Sequence, residues 1–196
     1  IGMFTLSNTR HEQNKESILE IIKTCPSKFR TYSKEKTEHI CNNADQNIFR
    51  DFKTLSQLSD DIKKIGLSYI DSTGYICDDL IITDAWLNKA NIGATLPFHN
   101  HVNSYISGTY YINFDPTIHS RISFYNDRNI AAWIDRKPNI SIATNLKKNT
   151  MYNQKLLTLD IKPGQIIIWK SHIIHGYQPP NKAEGRITLS FNIMPT

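Results

Sequence analysis

Residues 163–194 read PGQIIIWKSHIIHGYQPPNKAEGRITLSFNIM. Two apolar segments lie in this stretch. QIIIWK (165–170) is a short unbroken run entered from a Pro-Gly pair, in which proline presets one backbone angle and glycine supplies the other. RITLSFNIM (186–194) alternates, with Arg186, Thr188 and Ser190 on one face and Ile187, Leu189 and Phe191 on the other. Both read as strands. Between them stand His172, His175 and a Pro-Pro turn, with no room for a helix.

The same character extends back to Gly74. LIITDAWLN (80–88), SYISGTYYINF (104–114), RISFYN (121–126) and KLLTLDI (155–161) are short apolar and aromatic segments separated by Asn, Asp, Gly and Pro clusters. Residues 160–164, DIKPG, form a tight turn. Many short strands without intervening helices argue for an antiparallel sandwich or barrel. Ser107-Gly108 is a candidate bulge, and the polar segment 135–150 reads as a loop.

Before Gly74 the patterns are helical. NKESILEIIKTC (14–25) places Ile18, Ile21 and Ile22 on one face and meets Pro26, which stops it. DQNIFRDFKTLSQLSDDIKKIGLSYI (45–70) carries Ile48, Phe52, Leu55, Leu58 and Ile62 at spacings of three and four, with Gly66 a plausible end. Such stripes signal packing. The opening Ile-Gly-Met is assigned no role. The expectation is an α+β chain, mainly β: one domain over 1–196, with 1–74 a helical support and 75–196 a barrel carrying the site.

Composition bounds the function. The 196 residues are 39% hydrophobic and 21% charged, ordinary for a soluble globular chain, and no apolar run approaches the ~18 residues of a membrane span. Three cysteines, Cys25, Cys41 and Cys77, form no CxxC pair and fit reduced thiols in a cytoplasm. The net charge of +5 comes from scattered lysines, which argues against a nucleic-acid partner. Asn, Ile and Lys are abundant, so AT-rich coding accounts for part of that charge.

Residues 97–115, PFHNHVNSYISGTYYINFD, set His99 and His101 two apart. On extended backbone such a pair shares a face. The later segment adds a third histidine from a second strand. Three ligands with open positions left for substrate suit a non-haem Fe(II) centre. An inward-facing Arg186 also needs an anion; a dicarboxylate cosubstrate supplies one, with Thr188 and Ser190 as further donors. Trp86 and Asn88 share a face: Asn88 either contacts the cosubstrate or substrate, or is structural beside a core Trp86. Asn192 shares the face of Arg186. Trp169 and Tyr110 read as core, and His11, His39 and His119 as surface residues.

The pattern HNHVNSYISGTYYI, then PGQIIIWKSHIIHGYQPP, then GRITLSFN, resembles the Fe(II)- and 2-oxoglutarate-dependent oxygenases. It is most similar to a small group from marine bacteria and their phages, and it also looks like the prolyl hydroxylase branch. The resemblance covers roughly residues 80–194. It implies a double-stranded β-helix, a jelly roll of the cupin kind. It also implies Fe(II) on His99, His101 and His175, with O2 as oxidant and 2-oxoglutarate as cosubstrate. Arg186, eleven residues beyond His175, matches the arginine that pairs with the far carboxylate, and Tyr111 a tyrosine on that carboxylate. Thr188, Ser190, Asn88 and Asn192 complete the expected cosubstrate set. His175 is preferred to His172 for its spacing to Arg186 and to the Pro-Pro turn. His101 departs from the pattern, since most members have Asp or Glu there; Asp115 lies past the strand and is not expected to replace it. The implied activity is hydroxylation of a peptide, prolyl-like, or of a small molecule. The alternatives are a three-histidine cupin-like dioxygenase without 2-oxoglutarate and a non-catalytic metal-binding module.

Overall fold

The computed structural model describes residues 1–25, 29–32, 37–40, 47–125, 148, 150 and 156–196; most of the polar segment 135–150 lies outside them. In chain order the elements are β1 (Gly2–Thr5), α1 (Asn8–Thr24), β2 (Phe29–Tyr32), β3 (Thr37–Ile40), α2 (Ile48–Asp51), a 3₁₀ turn (Lys53–Leu55), α3 (Ser56–Ser72), β4 (Leu80–Ala90), β5 (Leu96–His99), β6 (Ile106–Asn113), β7 (Ser123–Tyr125), β8 (Leu156–Thr158), β9 (Gln165–Lys170), β10 (His175–Tyr177) and β11 (Arg186–Pro195).

The strands form two antiparallel sheets. One runs β1-β9-β6-β11-β4-β3-β2 and the other β5-β10-β7-β8. They enclose a polar interior, the arrangement of a double-stranded β-helix. The alternation of β11 decides which face does what. Ile187, Leu189, Phe191 and Ile193 lie in one apolar cluster with Leu87 and Tyr110 of the same sheet and with Ile18, Leu58, Ile62 and Ile70 of the helices. The helices therefore cover the outer face of the large sheet. The opposite face looks at the small sheet, where Tyr111, Phe124, Ile167 and Trp169 form a second cluster.

Phe191 shows how closely the outer face is packed. Its partners in register are Ala85 on β4 and Gly108 on β6. A Cβ at Gly108 would stand 2.3 Å from Phe191 Cζ and 2.8 Å from the Ile167 carbonyl oxygen. Gly108 thus makes room for a phenyl ring, and the pairing around Ser107-Gly108 is regular. The expected bulge lies elsewhere, at two places where pairing slips by one residue: Thr83 is extra on β4 and Ile112 extra on β6.

Other expectations need correction in the first 74 residues. The long helix read over 45–70 is three pieces, because Phe52 adopts extended backbone (φ −124°, ψ 94°) between α2 and the 3₁₀ turn. Its last part continues to Ser72. Gly66 lies inside α3, where a Cβ would come 2.8 Å from Leu80 Cδ1; glycine there permits close helix–strand approach. The unassigned opening residues form edge strand β1 against β9, and β2 and β3 make a hairpin extending the sheet. His11 is buried, its Nδ1 2.7 Å from Tyr110 Oη. His119 is buried too, its Nδ1 accepting from the Asp115 amide and its Nε2 meeting the Glu184 carbonyl. The His39 side chain lies outside the described residues. Among the described residues no helix is long and apolar enough to cross a membrane.

Candidate active site

Three histidines meet at the mouth of the interior. His99 closes β5 and His175 opens β10, and the two are direct partners in the antiparallel register. Directly opposed residues on paired strands hold their side chains close. His101 follows two residues past the end of β5, with its backbone amide donating to the Ser171 carbonyl at 2.9 Å. The ring centroids stand 4.5 Å (99–175), 5.1 Å (101–175) and 5.2 Å (99–101) apart. One nitrogen from each ring lies within 4.8 Å of the others.

Their hydrogen bonds prepare them to act as donors to a cation. His99 Nδ1 is 2.8 Å from the Pro97 carbonyl and His175 Nδ1 2.9 Å from the Ile173 carbonyl. A carbonyl only accepts, so Nδ1 carries the proton and Nε2 keeps its lone pair. Burial drives the pKa of His175 down to about 3, with the neighbouring imidazoles adding to the effect and the Ile173 bond opposing it. Burial and His99 likewise lower that of His101, against the pull of Asn192 and Asp84. Neutral imidazole is the ligand form. His172, three residues from His175, is exposed and outside the cluster.

Behind the histidines a cavity of about 130 Å³ runs into the barrel. Its floor on the large sheet follows the register of β11 in rows, Thr188 with Asn88 and Tyr111, then Ser190 with Trp86 and Thr109. The next row, Asn192 with Asp84 and Ser107, continues that face, and its Asn192 and Asp84 line an outer cleft instead of this cavity. Asn88 Nδ2 donates to Ser190 Oγ at 3.0 Å and to Thr188 Oγ1 at 3.5 Å. Asn192 accepts from Ser107 Oγ at 2.8 Å and donates to Asp84 at 3.4 Å. Trp86 is half-buried and lies nearly parallel to His101, rings 6.2 Å apart and 16° inclined, so it walls the site instead of filling the core. Trp169 is core and cavity wall at once, 4.6 Å from the His175 ring. Tyr110 is core, with its face toward α1.

Arg186 lines the same cavity. It is 3% exposed, its Nε donates to the Ser120 carbonyl at 3.1 Å, and its guanidinium carbon sits 4.6 Å from the Tyr177 ring centre and 5.8 Å from that of Tyr111. Among the described residues no carboxylate pairs with it. Among the described residues the Tyr111 hydroxyl and the Trp169 indole nitrogen are buried without a hydrogen-bond partner; burial raises the tyrosine pKa to about 12 against the opposing pull of Arg186, so the group stays a donor. A buried cation and orphaned donors around one cavity are costly unless an acceptor enters. The donor set therefore fits a small anion beside a histidine triad that could hold a cation.

Sequence reasoning missed three participants. Tyr177 flanks Arg186 from a three-residue strand too short to show a pattern. Ser107 was noted only as part of a bulge. Asp84 shares the parity of Trp86 and Asn88, and that parity was its available signal.

The sequence model of the family described as "Putative 2OG-Fe(II) oxygenase" matches residues 84–192. The chain belongs to this family. As a 2OG-Fe(II) oxygenase it uses Fe(II), 2-oxoglutarate and O2. No curated protein sequence matches the chain. Three solved structures share the fold of this oxygenase. A Pseudomonas putida prolyl-4-hydroxylase is 9% identical, with a TM-score of 0.61 over 100% of this chain and 92% of that one. HygX from Streptomyces hygroscopicus, with nickel and 2-oxoglutarate bound, is 10% identical, with a TM-score of 0.63 over 100% and 83%. A Trichoplax adhaerens prolyl hydroxylase in complex with a peptide fragment is 12% identical, with a TM-score of 0.60 over 99% and 83%.

Proposed function

We propose that this oxygenase is a hydroxylase acting on a peptide, prolyl-like, or on a small molecule, with Fe(II) held by His99, His101 and His175. The observation that carries the reading is one cavity with three neutral imidazoles at its mouth and a buried arginine without a counter-ion inside it. Arg186 holds the far carboxylate of 2-oxoglutarate, with Tyr111 and Thr188 as donors beside it, Ser190 and Asn88 along the cavity floor, and Asn192 on the outer side of the histidines. Residues 1–74 act mainly as support, with Thr37 of β3 reaching the cavity wall, and 75–196 carry the rest of the site. With the metal bound, Fe(II), 2-oxoglutarate and O2 supply the oxidising power that places one oxygen atom on the substrate, the cosubstrate leaving as succinate and CO2.

The protein's own part is orientation and charge. The carbonyls of Pro97 and Ile173 fix two imidazoles in their donor tautomer. The walls of Trp86 and Trp169 keep water from the inner side. Arg186, already bonded to Ser120, presents its remaining N–H groups without reorganising. The acid expected at His101 is an imidazole, so the triad adds no charge to the metal and the carboxylates of the cosubstrate are the anions brought to it.

The hydrogen bond to a charged group is worth roughly 1.5–3 kcal/mol, and lysine lacks the fork of arginine. Arg186→Lys should weaken 2-oxoglutarate binding about ten- to a hundredfold and leave metal affinity nearly unchanged. The measurement is a metal titration followed by 2-oxoglutarate into metal-loaded protein. Equal 2-oxoglutarate affinity in both proteins would remove the cosubstrate assignment.

A further inference from the structure

Outside the histidines lies a second space, an open cleft of about 310 Å³. It shares Trp86, His99 and His101 with the inner cavity, so the two meet at the triad. The inner cavity ends on a cation, Arg186. The outer cleft instead holds a carboxylate, Asp84, with the amides of Asn100, Asn103 and Asn192 around it.

Asp84 is fixed in place. Its Oδ2 accepts from Thr83 Oγ1 at 2.8 Å and from Asn192 Nδ2 at 3.4 Å. Both donors are neutral. Among the described residues its other oxygen receives no hydrogen bond, and neither lysine nor arginine pairs with it. Asp84 and Trp86, two apart on the regularly paired part of β4 beyond the slip at Thr83, share a face. Same-face neighbours on a strand stand about 7 Å apart, which leaves an ammonium or guanidinium group room to touch the carboxylate with the indole beside it. Both contacts are attractive to such a group.

We infer that the substrate of this oxygenase carries a cationic nitrogen, an amine or guanidine, and that Asp84 with Trp86 is its recognition site. The inference rests on the proposed function and names the substrate class for that same site. The two ends of the site then have opposite preferences. The dianionic cosubstrate is drawn to Arg186 and the cationic substrate to Asp84, so neither competes for the other's place. The group to be oxidised lies on the part of the substrate that passes His99 and His101.

The test uses the full chain loaded with Mn(II) and 2-oxoglutarate. Paramagnetic broadening of probe NMR signals reports both affinity and nearness to the metal. The probes are Nα-acetyl-lysinamide and its Nε-acetylated, neutral counterpart, and a Gly-Lys-Gly peptide with blocked ends and its Nε-acetylated form. The charged member of a pair should bind at least about tenfold more tightly, the size of a charge-assisted hydrogen bond. Asp84→Asn should bring that ratio close to one, and Asp84→Glu should keep it. A preference in both pairs, or in the peptide pair alone, supports the inference and tells a free amine from a peptide-borne one. Equal binding of charged and neutral probes to the wild type overturns it without need of any variant; Asp84 then serves only to orient Asn192. A preference that survives Asp84→Asn overturns it as well. Broadening of 2-oxoglutarate is read in the same tubes. If 2-oxoglutarate fails to approach the metal in the wild type, the proposed function falls and this inference with it; if it binds without any amine preference, this inference falls alone.

Discussion

The two faces of the large sheet are built from the same strands and have opposite chemistry. On β11, Leu189 and Phe191 face the helices, while Thr188, Ser190 and Asn192 face the barrel interior. The outer face is apolar and closely packed. The inner face is polar, partly unsatisfied and open at one end. A strand whose residues alternate thus divides its work: one set of side chains holds the sheet to α1 and α3, and the other is free to carry chemistry. Polar groups that would weaken a core sit on the face where a ligand can satisfy them.

The largest effect should come from the outer face. Phe191→Ala removes a ring seated between Ala85 and Gly108, and truncations of this kind cost about 3–5 kcal/mol. Chemical denaturation should show that loss, while metal affinity of the protein that remains folded stays near wild type. A drop in metal affinity of the same size would mean that the two faces are not separable. Next comes the inner face. Outer-shell partners of a metal ligand are typically worth 10–100-fold in affinity, so His175→Ala should exceed about a hundredfold in Fe(II) affinity. His172→Ala should leave it unchanged. The opposite ranking, read by isothermal titration, would transfer the ligand role to His172.

A smaller effect tests the packing that keeps the faces apart. Gly108→Ala places a methyl against Phe191 and Ile167, and overpacking costs about 1–3 kcal/mol. A melting temperature equal to wild type would show that the phenyl ring has space to move. The smallest effect concerns His11, which ties α1 to Tyr110. Burial lowers its pKa, so between the unfolded value of about 6.5 and the lower folded value the unfolded chain binds more protons. Stability contributed by neutral His11 is therefore present above pH 6.5 and fades as the pH falls through that window. His11→Gln should be about 1 kcal/mol less stable near neutrality, with the deficit narrowing on acidification. A deficit constant with pH would mean that His11 titrates alike in the folded and unfolded states.

Much of this division could be read from residues alone. RITLSFNIM shows its alternation plainly, and the inner set from Arg186 to Asn192 follows from parity. The helical stripe of Ile18 and Ile21 was equally legible. What escaped reading has physical reasons. β5 and β10 have four and three residues, too few for a period to emerge, and their pairing brings His99 opposite His175. The break at Phe52 leaves the apolar spacing intact, so a continuous helix was the natural expectation. His11 and His119 lack an apolar context in sequence and are buried by partners distant along the chain, Tyr110 and Glu184. Asp84 looks like the solvent side of a half-exposed strand until the small sheet covers that face.

Thr83 is the extra residue on β4, and it acts as a shift of reading frame within the strand. Before it, Leu80 and Ile82 face the helices; after it, Ala85 and Leu87 do, so the apolar positions pass from even to odd. One residue lets a single strand serve an even-numbered core at one end and an even-numbered polar cleft at the other. Deleting Thr83 would make the pairing regular and leave Leu80 and Ile82 under the helices and Asp84, Trp86 and Asn88 toward the barrel, whereas drawing Thr83 into a regular ladder would force one half of the strand onto the wrong face. Sequence comparison across this position must therefore count residues: a relative without the extra residue aligns with its gap at Thr83, and closing that gap would exchange the dry side of the sheet for the wet one.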